Sequence, residues 1–403
     1  MGLPDVLGAT ALRAAYQPVV SLETGQVLGF EALARGRCAP DLLLRQARED
    51  GCIAELDWAC RAAALAGALD AGLGSTLTLL VNVEPDTAVA VPAGLCELVA
   101  RAETDLRVVL EITERAVVQR PSELMRVVDW ARARNWGIAL DDVGQDPASL
   151  ALMPFLEPDV VKLDLRLVQE RPTPEIGRVM SAVTAQAERT GAVVLAEGIE
   201  DDEDRQAALA LGATVGQGWL LGRPEPLPSS MTQPDDVLPL RRTWAVHDDP
   251  TPFSVLRAAR PLRRGDKSLL LGIAGHLEEQ ALSLAEVPVV LSTFEAGEPV
   301  PKAMQDRYSE LTGRGSFVAA LRTGDAPEVH DGTRGARLPD DHRLADEWSV
   351  VVVGAHYAGA LVARRAADGD AYDFAVTHDR TLVVEAGRAL LRHVAELEHP
   401  DRA

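Results

Sequence analysis

Acidic, amide and basic side chains recur at the ends of short apolar runs along the first half of the chain. Glu31 interrupts GFEALA, Asn82 follows LTLLV, Glu111 ends VVLE, and Asp141 and Asp142 end GIALDD. Lys162 and Asp164 close DVVKLD, Glu197 ends VVLAE, and Gln217 lies in TVGQGWLL. Carboxylates gathered at one place raise one another's pKa and cannot all ionise unpaired, so a bound cation is their natural complement. Carboxylate and amide oxygens without histidine or thiolate select hard divalent ions such as Mg2+ or Mn2+ over zinc or copper. Adjacent aspartates can bridge two ions, and a pair ~3.5–4 Å apart is the arrangement used for in-line phosphoryl displacement. Asp141 and Asp142 are the bridging candidates. Lys162, on the next run, can stabilise developing phosphate charge or orient an attacking water.

These residues work together only if the runs that carry them converge. From Tyr16 to Leu221, short β-branched or leucine-rich runs alternate with segments of helical period, the pattern of βα units around a parallel sheet. The expected strands are YQPVV, VLGFEALA, LTLLVNV, RVVLEIT, GIALDD, DVVKLD, AVVLAEG and TVGQGWLL. Residues 52–73, 123–135, 177–190 and 202–211 carry apolar residues at helical spacing, and Gly72, Gly191 and Gly212 follow as terminators. The fold class is therefore α/β, a (β/α)8 barrel of the TIM type. The SLETGQ connection is too short for a crossover helix and reads as a hairpin, which makes the first strand antiparallel to the second. In such a barrel the C-terminal strand ends meet at one mouth. A charge at one strand end is commonly a solvent-facing terminator; the same placement on seven strands is not.

The chain has 403 residues, more than one hydrophobic core usually organises, so two domains are expected. Its formal charge of −21, with no long Lys/Arg run, argues against duplex nucleic acid as a partner. No apolar run is long enough to span a membrane and the N-terminus lacks signal-peptide character, so a cytoplasmic location is expected. Cys38, Cys52, Cys60 and Cys96 form no CxxC pair and read as buried thiols. Seven prolines between Gly222 and Phe253 exclude a regular helix or central strand and mark a linker. The expected organisation is a barrel over 1–226, a Pro-rich linker over 227–250 and a second domain over 251–403. For that domain, helices over 253–260, 275–286, 304–311 and 382–397 and strands SLLLGI, VPVVLSTF, SFVAAL, WSVVVVG, AGALVARR and YDFAVTH suggest an α/β or α+β fold with one sheet.

The segments YQPVVSLETGQVLGFEALAR, VNVEP, EITE, DD, VKLD, AEGIE and GQGWLLGRP occur in the order and spacing of the EAL domain. Over about residues 10–226 the chain resembles that family of bacterial cyclic di-GMP phosphodiesterases. The resemblance implies a first metal held by Glu31, Asn82, Glu111 and Asp141, and a second by Asp141, Asp142 and Glu197. It implies that Lys162 stands close to the attacking water and that Gln17, Arg35, Asp164, Glu200 and Gln217 hold the dinucleotide. The implied reaction is two-metal hydrolysis of one phosphodiester of cyclic di-GMP to linear pGpG, with Asp142, Lys162 and Glu197 central to catalysis. A homodimer through the barrel is also implied.

Two departures from the family pattern bear on this. DDVGQDPASL stands where the family reads DDFGTGYSSL, with Val143 for the aromatic and Asp146 for the second glycine, a residue that adopts positive φ at some cost. In the family this loop orders the second metal, and the last glutamate of EITE, here Glu114, anchors it. Glu84 stands in VNVEP where a small hydroxyl residue is usual, and could weaken dinucleotide affinity or add an outer interaction to the metals.

DEWSVVVVGAHYAGALVARR and YDFAVTHDRTLVVEAGRALLRHV, with LSTFEAG upstream, resemble the DICT sensory domain, whose signal is unknown. His247-Asp248 and His378-Asp379 superficially suggest HD phosphohydrolases, but only eight histidines occur in the chain, and no GGDEF-like segment suggests synthesis of the dinucleotide. Two functions follow: a hydrolase set by its C-terminal domain, or a receptor that binds cyclic di-GMP without turnover and signals through that domain.

Overall fold

The computed structural model describes every residue except 1–11, 37–39, 86–89, 145–146, 171–172, 242–249, 295–300, 324–331, 340, 368, 370 and 395–403. Cys38, Asp146, His247, Asp248 and part of LSTFEAG lie outside the described residues. All eight expected runs form strands: β1 (Arg13–Ser21), β2 (Val27–Arg35), β3 (Thr78–Asn82), β4 (Arg107–Thr113), β5 (Gly137–Val143), β6 (Val160–Leu163), β7 (Val193–Ala196) and β8 (Val215–Gly216). They close into a barrel in sequence order. β1 runs antiparallel to both β2 and β8, while the remaining neighbours are parallel.

The helices between them are α1 (Pro40–Glu49), α2 (Ile53–Asp70), α3 (Cys96–Asp105), α4 (Glu114–Gln119), α5 (Pro121–Arg132), α6 (Pro147–Leu156), α7 (Leu165–Gln169), α8 (Pro174–Thr190) and α9 (Asp202–Ala210). Of these α1, α3, α4, α6 and α7 were not expected. α6 reads PASLALMPFL, apolar nearly all round, so it offers no amphipathic period, and it carries an internal Pro154. The terminator role of glycine is clearest at Gly191, left-handed at φ 74 directly after α8, where its N–H closes on the Ala187 carbonyl.

Inside the barrel, one apolar residue from each strand forms a layer: Val19, Leu28, Leu80, Val109, Ala139, Val160, Leu195 and Val215. Leu238 packs into the same layer at 2% exposure, and Arg107 donates to its carbonyl. The Arg241 N–H donates to Asp159 at 2.6 Å, and its guanidinium bonds Glu157 at 2.6 Å. The proline-rich stretch up to Arg241 thus lacks regular structure yet helps close the barrel, because its few apolar side chains have a cavity to fill. Cys52 and Cys60 are only half-buried and Cys96 is exposed, which corrects the expectation of buried thiols.

The chain divides into two compact units. The first comprises Met1–Ala116, Arg126–Gln145 and Glu157–Ala245; the second comprises Val117–Met125, Asp146–Leu156 and Val246–Ala403. The second unit adds α10 (Pro252–Ala259), β9 (Arg263–Gly265), α11 (Lys267–Ser283), β10 (Val289–Thr293), α12 (Lys302–Gly313), β11 (Phe317–Thr323), β12 (Arg334–Leu338), β13 (Glu347–Val353), β14 (Ala358–Arg365), β15 (Tyr372–Thr377) and α13 (Arg380–Leu391). Its single sheet has the order β12-β11-β10-β13-β14-β15-β9. Leu270, Leu277, Met304 and Tyr308 of α11 and α12 cover one face, packing on Val290, Val350 and Leu361. On the other face α13 packs against β10, β13 and β14.

SLLLGI is helical rather than a strand. Asp266 caps the Leu269 N–H, and Leu270, Ala274, Leu277 and Ala281 line one buried face, so the run is the first turn and a half of α11. A short apolar run has no period of its own, and the cap decides it. Among the described residues no helix is long and apolar enough to cross a membrane.

Candidate metal centre

The period of two along a strand explains how the barrel gathers its polar residues. Two positions beyond the apolar layer, β3, β4, β5, β6, β7 and β8 present Asn82, Glu111, Asp141, Lys162, Glu197 and Gln217. On antiparallel β1 the equivalent position lies two residues earlier, at Gln17. β2 would break the rule, since Glu31 is three residues from Leu28. A register shift repairs it: Val19 pairs with Gly29 and Val20 with Val27, so Leu28 is an extra residue and Glu31 returns to the inner face.

Lys162 stands at the centre and is fully buried. Its ammonium lies 2.7 Å from Glu111, 2.8 Å from Glu197, 2.9 Å from Asp141 and 3.6 Å from Glu31. The Asn82 amide donates to Glu31 at 3.3 Å and to Glu111 at 3.2 Å. Gln217 donates to Glu31 at 2.6 Å and to Gln17 at 3.1 Å, and Gln17 in turn donates to the Gly222 carbonyl.

Neighbouring side chains on a regular strand face opposite ways, yet Asp141 and Asp142 share one face. Between Leu140 and Val143 the pairing with β6 slips by one residue, and Asp142 takes a left-handed φ of 58°. This bulge turns its carboxylate inward, so that single oxygens of Asp141, Asp142 and Glu197 lie within 4.8 Å of one another. Gly144 follows at φ 119°, and its N–H donates to the buried Glu114 at 3.3 Å. Asp142 thus carries a positive-φ cost that no signal in the sequence marks, while the expectation at Asp146 falls outside the described residues.

The electrostatics follow from this crowding. Burial alone would raise Glu31, but the Lys162 charge and hydrogen bonds from Gln217 and Asn82 outweigh it and hold that carboxyl below its usual value. Burial, then the charges of Glu31 and Asp141, push Glu111 well up despite Lys162. Burial likewise pushes Glu197 up to about 8, with Asp141 and Glu31 adding to it and Lys162 opposing. Burial, Asp141 and Asp164 raise Asp142. Burial disfavours the Lys162 ammonium, but four carboxylates more than restore it and keep it charged.

Hard-cation ligation suits this donor set. Glu111 Oε1, Asp141 Oδ1 and Gln217 Oε1 are buried without a well-directed hydrogen bond, although the first two lie in ion-pair range of Lys162. The five carboxylates Glu31, Glu111, Asp141, Asp142 and Glu197, fully ionised against one ammonium, leave four negative charges, which two divalent ions would balance.

Three expected dinucleotide contacts stand apart from this network. Asp164 is buried, but its carboxylate caps α7 through the Arg166 N–H and pairs with the Arg166 side chain at 2.9 Å. Arg35 is exposed and donates to the Ala34 carbonyl, and Glu200 is exposed with its N–H on Asp204. The Glu84 carboxylate pairs with Arg48 at 2.9 Å.

Residues 3–224 match the EAL domain family, and residues 254–366 match the family described as a sensory domain in diguanylate cyclases and two-component systems. The cyclic di-GMP phosphodiesterase RocR of Pseudomonas aeruginosa is 31% identical over 224 residues, which cover 52% of this chain and 57% of RocR. The bifunctional diguanylate cyclase/cyclic di-GMP phosphodiesterase MucR of the same organism is 28% identical over 231 residues, 52% of this chain and 33% of MucR. The chain therefore spans about half or less of the length of these curated relatives. Among solved structures, a MucR phosphodiesterase in complex with cyclic di-GMP gives a TM-score of 0.47 at 27% identity, covering 56% of this chain and 96% of that one. A manganese and cyclic di-GMP complex of BlrP1 from Klebsiella pneumoniae gives 0.47 at 27% identity, covering 54% and 57%. With more than half of its 403 residues matched, the chain belongs to the EAL domain family.

Proposed function

We propose that this protein hydrolyses cyclic di-GMP to linear pGpG in the barrel of residues 1–226, under the control of a sensory domain over 251–403 joined by residues 227–250. The observation that carries the reading is the cluster of Glu31, Asn82, Glu111, Asp141, Asp142 and Glu197 around Lys162, supplied by strands β2 to β5 and the residue after β7. RocR, a relative at 31% identity, bears the name of a cyclic di-GMP phosphodiesterase, which agrees with it.

In this reading Glu31, Asn82, Glu111 and Asp141 hold one Mg2+ or Mn2+, and Asp141, Asp142 and Glu197 hold a second. Bound there, the ions supply Lewis-acid charge for in-line displacement at phosphorus. The chain's own residues do the rest. Lys162, held cationic by its carboxylate neighbours, places a buried positive charge where a phosphate oxygen or an attacking water must sit. Gln217 and Gln17, already linked to each other, orient Glu31 and offer amide donors to the dinucleotide. Asp164, Glu200 and Arg35 complete the grip on the dinucleotide, Arg35 through the bidentate fork that suits a phosphate.

Purified protein incubated with cyclic di-GMP and either Mg2+ or Mn2+ should yield pGpG, and Glu31→Ala should abolish it. Tight binding of the dinucleotide without product under both ions would replace the enzyme by a receptor. Near-normal turnover in Glu31→Ala would refute the ligand assignment.

A further inference from the structure

Residues 235–241 cross the floor of the barrel, the end opposite the charged cluster. Their anchors lie at the starts of strands that deliver cluster residues at the other end. Asp235 exchanges two hydrogen bonds with Gln26, directly before β2 and its Glu31. The Leu238 carbonyl accepts from Arg107, the first residue of β4, whose far end carries Glu111. The Arg241 N–H donates to Asp159 at 2.6 Å, and the same carboxylate accepts from the Ile138 N–H of β5 at 2.8 Å and from Arg132 at 2.6 Å. Directly after Asp159, β6 begins its run to Lys162. The Arg241 guanidinium also reaches Glu157 at 2.6 Å and the Thr190 carbonyl at 3.4 Å, ahead of β7 and Glu197.

The Asp159 and Arg132 side chains are only 2% and 1% exposed, so the strap's N–H satisfies a carboxylate that water reaches poorly. Leu238 seals the floor beside it, packed into the apolar layer that lies two strand positions below the cluster. Gly137, at the start of β5, leaves the strap its path: a Cβ there would meet Leu240 at 2.9 Å and Val109 at 2.8 Å. Close-packed interiors yield little and pass displacement on. A strand start that shifts at the floor therefore carries its far end with it.

We propose that the strap of residues 235–241 positions the cluster, with Leu238 as its plug and Arg241 as its latch. Seated, it holds the starts of β2, β4, β5, β6 and β7 at fixed spacing and keeps water from beneath the buried carboxylates. Released, it lets the ligands at the mouth drift apart. The joining stretch up to Arg241 thus belongs to the barrel. This role rests on the reading of the cluster as an ion site, and since coupling is reciprocal, an ion at the mouth must tighten the floor.

The test uses the full chain as wild type, Leu238→Ala, Leu238→Met, Arg241→Ala and Leu43→Ala. Mn2+ titration followed by electron paramagnetic resonance reads the cluster. Hydrogen exchange of the Arg241 amide reads the latch, and that of the Glu197 amide, which donates to the Leu163 carbonyl at 3.2 Å, reads the mouth without any ion. In Leu238→Ala the Mn2+ affinity should fall about tenfold, and both amides should exchange faster. Methionine, close to leucine in volume, should restore most of each. Leu43→Ala removes the same side chain from a satellite cluster with Ala47 and Leu56, and should keep wild-type Mn2+ affinity and exchange at both amides. Arg241→Ala removes the contacts to Glu157 and Thr190 and should move the same readouts in the same direction; it carries the test if Leu238→Ala does not fold. Mn2+ added to the wild type should slow exchange at Arg241. Folded strap variants with wild-type Mn2+ affinity and Glu197 exchange, or a Leu43→Ala protein that matches Leu238→Ala, overturn the proposal. Absence of Mn2+ binding in the wild type would instead remove the ion reading, and Glu197 exchange across the variants would then decide the strap.

Discussion

Replacing Lys162 by methionine keeps the length and much of the volume of the side chain but removes the one ammonium among the carboxylates of the barrel mouth. Its contacts at 2.7, 2.8 and 2.9 Å are each worth about 6 kcal/mol of Coulomb attraction at an effective dielectric of about 20. Most of that attraction offsets the cost of burying the charges. Breaking a buried ion pair by removing one partner costs about 3–5 kcal/mol net. For a unit near 200 residues this lowers the melting temperature by about 6–20 °C in EDTA. Mn2+ at about 100 times its dissociation constant should return about 2.7 kcal/mol by mass action. Near-ultraviolet circular dichroism suits the measurement, because Trp58, Trp130 and Trp136 form an edge-to-face stack within the barrel unit at 6.2 and 5.3 Å. A Lys162→Met protein that melts in EDTA at the wild-type temperature would falsify the account of Lys162 as the internal counter-charge. Failure of Mn2+ to stabilise either protein would remove the ion reading.

Other perturbations reach different parts of the barrel. Glu114→Ala removes the acceptor of the Gly144 N–H and should weaken one Mn2+ affinity about tenfold, read by calorimetry; unchanged affinity would show that the bulge holds itself. Gly29→Ala would place a Cβ 2.2 Å from the Thr78 carbonyl oxygen in the β2–β3 ladder, so a loss of at least about 3 kcal/mol is expected in urea unfolding. A loss below about 1 kcal/mol would mean that the ladder yields easily. Burial and the Asp70 charge push Tyr16 from 10.0 up to about 12. The fold therefore favours the neutral phenol, which donates to the Ala64 carbonyl. Its contribution is complete below about pH 10 and is lost as the pH rises through about 12. Tyr16→Phe should flatten that alkaline loss of stability, and an identical pH slope in the variant would count against it.

Periodicity and strand-end chemistry were enough to read the barrel from the chain alone. Alternation of short apolar runs with helical spacing specifies βα units, the short SLETGQ link forces β1 antiparallel, and a polar residue within or at the end of each of seven runs identifies the mouth. These are local properties, carried by neighbours in sequence. Tertiary structure decided what local signals leave open. The slip at Leu28 that returns Glu31 to the inner face, and the left-handed Asp142 that turns both aspartates inward, exist because adjacent strands must pair around a closed barrel. Leu238 fills the barrel's apolar layer despite lying among prolines, because burial rewards any apolar side chain that can reach it. SLLLGI became helical once Asp266 capped it and its apolar face met the sheet. Arg388 meets the Phe155 carbonyl from 233 residues away, a partner no spacing rule can name, because an arginine finds a helix end only after the chain has folded.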